Sequence, residues 1–244
     1  MKRILFVLSM IICTACIFVS CSDKNEIDMF SDEADFQVIN GVLVKYRGLG
    51  GEVRIPDKLN IMEIGYRAFY YERDVKYIVI PESVKRISND AFYNCAGLDS
   101  ITLSGGVTSI GSSAFSGCSS LDYITLPDRL TSIGSSAFSG CSSLTSVVIP
   151  EGIDSIKYGL FSRCSSLKSV TIPQSVKVFD YAPFYSCSSL VSIKVKWQTP
   201  ISMFSMPVDY DRVSNVTLKV PRGTKEKYMA ANVWQDFGKI EEED

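Results

Sequence analysis

Leu130 to Gly152 reads LTSIGSSAFSGCSSLTSVVIPEG, and the 23 residues on either side of it read almost the same. Val107 to Arg129 is VTSIGSSAFSGCSSLDYITLPDR, and Ile153 to Ser175 is IDSIKYGLFSRCSSLKSVTIPQS. The same phase continues back through Val84 and Ile61 and forward through Val176, giving six ungapped copies over residues 61–198. Self-similarity at a fixed period of this length is the signature of a solenoid, in which each copy is one coil.

The columns of the repeat state what each position must do. Position 4 carries Ile64, Ile87, Ile110, Ile133, Ile156 and Phe179, and position 9 carries Phe69, Phe92, Phe115, Phe138, Phe161 and Phe184. Position 15 is Val75 or a leucine, and positions 18 and 20 are apolar in every copy, from Ile78 and Ile80 to Ile193 and Val195. Apolar residues two apart describe a strand with one face buried. Pro81, Pro127, Pro150 and Pro173 follow at position 21, where a residue without an N–H ends the strand. Each copy is therefore predicted to hold a strand at positions 16–20 and a weaker one at positions 2–4. A turn of Ser, Gly, Ala and Phe, with a trace of 3₁₀ or α-helix, joins them. One coil cannot bury its apolar face, whereas stacked coils share a continuous core.

The form from Leu130 to Pro150 resembles the BspA-like leucine-rich repeat, also called the Treponema-type leucine-rich repeat, of bacterial surface proteins. The resemblance implies a leucine-rich-repeat solenoid, mainly parallel β with short 3₁₀ or α turns. It also implies attachment to proteins of a host or neighbouring cell as the typical role.

The flanks read as caps. Residues 36–60 form an N-terminal cap, with a hairpin turning at Asn40-Gly41 and a strand-plus-proline signature at Glu52 to Pro56. Residues 199–244 hold an inserted loop (Thr199 to Arg212), a last strand ending at Pro221, and a helical cap from about Thr224 to Ala231. Thr224 is the expected N-cap, and Tyr228, Ala231 and Trp234 are expected to cover the last coil.

The first 35 residues have a different character. Met1-Lys2-Arg3 precedes an apolar run from Ile4 to Val19, and Ser20-Cys21 precedes a polar stretch, the arrangement of an export signal. Phe18-Val19-Ser20-Cys21 resembles the lipobox of bacterial lipoproteins, which implies a signal peptide over 1–20 and lipidation of Cys21. Cys16 is the rival position, and an uncleaved anchor the alternative, although the run falls short of the ~20 residues of a spanning helix. Residues 21–35, with Asp23, Glu26, Asp28, Asp32, Glu33 and Asp35, read as an acidic tether. Such a stretch resembles those that route Gram-negative lipoproteins to the outside of the outer membrane. The membrane is then met only through the N-terminal lipid.

Composition narrows the chemistry. The chain of 244 residues has a net charge of −2 and no basic block, so nucleic acid is not an expected partner. It has no histidine, the commonest general base and metal ligand. Cys95, Cys118, Cys141, Cys164 and Cys187 share position 12, spread evenly rather than clustered as metal ligands are. They read as a ladder of small buried side chains, with disulfides between coils as the alternative. Ser119-Ser120 and its counterparts lack a GxSxG elbow and read as turn residues bonding the backbone. Asp99 and Asp122 share position 16 of neighbouring coils, but a carboxylate pair there is more simply a solvated strand face. No enzyme, metal or cofactor is expected.

What remains for function is the outward face of the strands. Positions 16, 17 and 19 place Lys76, Tyr77, Val79, Asp99, Asp122, Tyr123, Val148, Lys168 and Lys194 there, with Tyr77 and Tyr123 as the expected anchors. A protein partner is the first expectation and a saccharide, captured as a nutrient, the alternative.

Overall fold

The computed structural model describes residues 31–203 and 205–243. The export signal, Cys21 and most of the acidic tether lie outside the described residues. Within them, no helix is long and apolar enough to cross a membrane.

The chain winds as stacked coils with two ribbons of parallel strands. The first ribbon begins with the hairpin of β1 (Phe36–Ile39) and β2 (Val42–Tyr46), whose turn uses Asn40 and Gly41 at φ of 50° and 76°. It continues through β4 (Glu63–Ile64), β6 (Arg86–Ile87), β8 (Ser109–Ile110) and β9 (Ser132–Ile133). After an interruption it resumes as the pair β11 (Ser155–Ile156) and β13 (Val178–Phe179). These are the weaker strands, confined to positions 3 and 4.

The second ribbon holds the longer strands: β3 (Gly51–Arg54), β5 (Val75–Val79) and β7 (Ser100–Thr102) on one side. On the other are β10 (Ser146–Val148), β12 (Ser169–Ile172), β14 (Ser192–Val195), β15 (Thr217–Pro221) and β16 (Lys239–Glu243). Within the repeats register advances by 23 residues per coil, so that Val147 faces Val170 and Val170 faces Ile193. Between the two groups the expected strand of the third copy is missing. Asp122 N–H lies 3.5 Å from the Asp99 carbonyl, against 2.9 Å for Asp99 to Lys76 and 2.8 Å for Lys168 to Thr145. Like charges facing across neighbouring strands repel, and Asp99 and Asp122 are the one such acidic pair in the column.

The turn is itself a ladder. The amides of positions 7, 9 and 11 each donate to a carbonyl of the next coil; for the fourth copy these are Ser136 to Tyr158 (2.9 Å), Phe138 to Leu160 (3.0 Å) and Gly140 to Ser162 (2.7 Å). Positions 7 and 11 take left-handed backbone in every copy, as in Ser136 (φ 56°) and Gly140 (φ 75°). Two left-handed residues per turn let the chain reverse while still aiming its amides along the solenoid axis. Gly117 and Gly140 meet that need without the Cβ cost that Arg163 (φ 62°) and Tyr71 (φ 63°) bear at the same position.

The core is the set of columns read from the repeat. The position 9 rings form a spine with centroid spacings of 4.9 Å for Phe69–Phe92, 5.3 Å for Phe115–Phe138 and 6.0 Å for Phe161–Phe184. Tyr46 extends it at the N-terminal end, 4.9 Å from Phe69.

The C-terminal end departs from expectation in three ways. Thr199 to Arg212 is less an insertion than a degenerate seventh coil: Phe184 N–H donates to the Pro207 carbonyl as in earlier coils, and for Ser186 N–H the Asp209 carboxylate stands in for the carbonyl that the earlier coils supply. The register of β14 with β15 pairs Ser192 with Thr217, so this coil has two residues more than the repeat. The helix α1 (Lys225–Met229) follows Thr224, whose hydroxyl donates to the Pro221 carbonyl at 2.6 Å instead of capping an amide. The chain then adds the unforeseen strand β16. Tyr228 and Trp234 do close the end, their polar atoms bonding the carbonyls of Trp197 and Ile201 at 2.9 and 2.7 Å.

Candidate functional site

The cysteine column builds the coil. The described cysteines are free and buried, and each thiol donates to a phenylalanine carbonyl of the preceding coil: Cys95 to Phe69 at 2.9 Å, Cys118 to Phe92 at 3.2 Å, Cys164 to Phe138 at 3.1 Å. Burial pushes the Cys141 and Cys187 thiols up to about 12, away from the thiolate form that nucleophiles and metal ligands need. Among the described residues no cluster of His, Cys, Asp and Glu could hold a metal ion. The serines beside the column make a second ladder, Ser142 Oγ donating to the Ser119 carbonyl at 3.1 Å and Ser165 Oγ to Ser142 at 3.4 Å. Their hydroxyls are spent on backbone, with no base beside them.

The outward face of the long strands divides on inspection. Lys76, Asp99, Asp122 and Lys168 are exposed, and so are Tyr123 (55%) and Val148 (63%). Tyr77 is only half exposed, because its hydroxyl is held 2.8 Å from the Thr102 hydroxyl of the next coil. It is a strut across two coils and a weaker anchor than its sequence position promises. Val79 is also half-buried. Lys194 pairs with Glu243 of the terminal strand, and Lys219 reaches the same carboxylate at 2.8 Å, holding it below the usual carboxylate range. Lys194 therefore ties down the C-terminal edge. What stays free is a patch around Tyr123 and Val148, flanked by acid at Asp99 and Asp122 and by base at Lys168.

A second surface escaped the sequence reading altogether. The turn, at positions 6, 10 and 11, carries Tyr66, Tyr70, Tyr71 and Tyr93 on the first two coils and Tyr158, Tyr181 and Tyr185 on the last two. The coils between have serine at positions 6 and 10: Ser112, Ser116, Ser135 and Ser139. At the N-terminal shoulder the rings and cations satisfy one another. Arg67 lies over Tyr66 and Tyr70, 4.8 and 4.4 Å from their centroids, and bonds Asp90 at 3.3 Å. At the C-terminal shoulder Tyr158 and Tyr181 stack at 6.4 Å and wall a cavity of about 400 Å³. The signal for this surface was present in positions 6 and 10, but those columns vary between Tyr, Asn and Ser and so read as unconstrained turn.

With this geometry in view, the likenesses to known proteins are specific. The chain matches the family described as BspA type leucine rich repeat region, in six copies over residues 62–191. Among solved structures it is similar to a leucine rich repeat protein of T. pallidum, at 33% identity and a TM-score of 0.64, covering 68% of this chain and 84% of that one. The pneumococcal vaccine antigen PcpA is similar at 19% identity and a TM-score of 0.54. That match covers 84% of this chain and 44% of the antigen, and it bears on the fold alone. No curated protein matches the chain.

Proposed function

We propose, from the premise that the chain belongs to the BspA-type leucine-rich repeat family, that it is a cell-surface adhesion module whose long-strand face docks a protein partner. Repeat scaffolds of this family bind rather than catalyse, and its members are often exposed at the cell surface. Cleavage before Cys21 and lipidation of that residue would anchor the chain in the outer membrane, and the acidic tether would hold the solenoid clear of it. Protease treatment of intact cells should then cut the protein.

One observation carries the docking reading: Tyr123 and Val148, large and more than half exposed, lie diagonally at positions 17 and 19 of successive coils on the outward strand face, two coils from the exposed Val191 and otherwise among charged or small side chains. Isolated exposed apolar residues need no explanation, whereas an aromatic and an aliphatic within a rim of both charges has the composition of an interface core. Asp99, Asp122 and Lys168 supply that rim. The saccharide reading gains nothing on this face, since Tyr77 is held by Thr102 and Tyr123 stands without a second ring.

The test is an array of purified extracellular and cell-surface proteins probed with the mature chain and with Tyr123→Ser/Val148→Thr. Each replacement is a residue found on this face in other coils, so the fold should be kept. Binding to a protein that drops tenfold or more in the variant supports the assignment. Equal binding by both chains, or no protein ligand at all, overturns it.

A further inference from the structure

The turn cavity at the C-terminal shoulder has a chemistry of its own, distinct from that of the long-strand face. It is lined by Tyr158, Tyr181 and Tyr185, by Ser136, Ser139 and Ser162, and by Arg163. A second hollow of about 240 Å³ adjoins it, sharing Tyr181 and Tyr185 and running on past Asp209, whose carboxylate accepts the Ser186 amide, to Tyr210.

We infer that this pair of hollows binds a saccharide chain bearing a carboxylate. Tyrosine rings offer flat apolar faces with polar rims, the complement of a pyranose with its C–H faces and hydroxyl edges. The serine hydroxyls beside them are both donors and acceptors, as a sugar hydroxyl requires. Unlike the serines of the position 13 ladder, Ser136, Ser139 and Ser162 make no side-chain hydrogen bond within the described residues. The residues lining the two hollows come from four successive coils, which suits a linear chain better than a compact ligand.

Arg163 selects the acid. Its guanidinium is exposed, and no carboxylate among the described residues lies within ion-pair distance. Its counterpart in environment, Arg67, is by contrast paired with Asp90 and covered by two tyrosines. Arg163 also holds a left-handed backbone (φ 62°) at the column position where the two preceding coils place Gly117 and Gly140. A long cation at a place that suits glycine, with no ion-pair partner among the described residues, points outward to a ligand. A planar guanidinium takes a carboxylate in bidentate fashion.

The experiment is a glycan array with uronate-bearing, sialate-bearing and neutral chains as separate arms, read with the mature chain, Arg163→Gly, Tyr158→Ser and Tyr123→Ser. The first two variants restore residues that neighbouring coils already carry at those positions, which guards the fold; a thermal melt checks it. Expected are hits confined to one or both acidic arms, weakened at least tenfold by Arg163→Gly and by Tyr158→Ser and unchanged by Tyr123→Ser. Binding of neutral chains as strong as of acidic ones, binding indifferent to Arg163→Gly, or no saccharide binding overturns the inference. A protein ligand that requires Arg163 while every glycan arm stays empty overturns it too. Because Tyr123 lies on the other face, failure here leaves the docking reading untouched.

Discussion

The thiol of Cys141 donates to the carbonyl oxygen of Phe115, 3.3 Å away in the preceding coil. That carbonyl already accepts the amide of Cys118 from its own coil at 3.1 Å, so one oxygen closes the turn and tethers the next coil. The arrangement explains why position 12 wants a small side chain with a weak donor. It also explains the first copy, where Glu72 replaces cysteine and reaches outward to Lys45 at 3.4 Å.

The thiols of the column should therefore be silent toward thiol reagents at pH 8 in the native protein and titrate fully once it is unfolded. Cys141 and Cys187 are raised from an ordinary 9.0 to about 12, so the folded state holds their protons more tightly than the unfolded chain does. Their contribution to stability is whole below pH 9 and is lost as pH rises from there toward 12, by up to about 1.4 kcal/mol per pH unit for each thiol. Urea midpoints measured from pH 8 to 11 check the sign. A midpoint unchanged up to pH 11 would be the wrong result.

The ring spine should matter more where a ring is stacked on both sides than at its C-terminal end. Phe138 is fully buried between Phe115 at 5.3 Å and Phe161 at 5.4 Å. Phe138→Ala should cost about 3–5 kcal/mol. Phe184, 6.0 Å from Phe161 and followed by the Val208 segment instead of another ring, should cost less on the same substitution. Denaturant titration of both variants decides it, and equal losses would count against a graded spine.

Much of this was legible in the sequence because the columns that pack are invariant in type. Phenylalanine at position 9 and apolar residues at 4, 15, 18 and 20 can only be a stacked core, and Asn40-Gly41 can hardly be other than a tight turn. The features that stayed hidden are those set by backbone or by neighbours. The left-handed residues at positions 7 and 11 include Arg67, Ser113, Ser136 and Arg163, none of which announces that conformation. Residues 199–212 lack the position 9 ring and run two residues long, so their role as a coil appears only in the bonds from Phe184 and Ser186. Strand β16 has the sequence KIEEE, whose charge hides its pairing with β15. Tyr77 looked free because its partner, Thr102, lies 25 residues away.

The break between β7 and β10 should show in solution. Among the described residues no backbone hydrogen bond joins Tyr123, Ile124 or Thr125 to another residue, whereas Val147 and Val170 lie in paired strands. Amide exchange at Tyr123 to Thr125 should be at least tenfold faster than at Ser146 to Val148. Asp122→Ser, which removes the like-charge pair, should narrow the difference. Uniform protection across both segments would show that the ladder is closed.

The assignment of partner binding to the long-strand face is the claim on which the functional reading turns. Hydrogen exchange of the mature chain, alone and saturated with a protein captured on the array, tests it most directly. Slowed exchange should appear at residues 99–102, 122–125 and 145–148, with the turn segments 135–140 and 158–163 unchanged. Protection confined to those turn segments, with the strand face exchanging as freely as before, would contradict it.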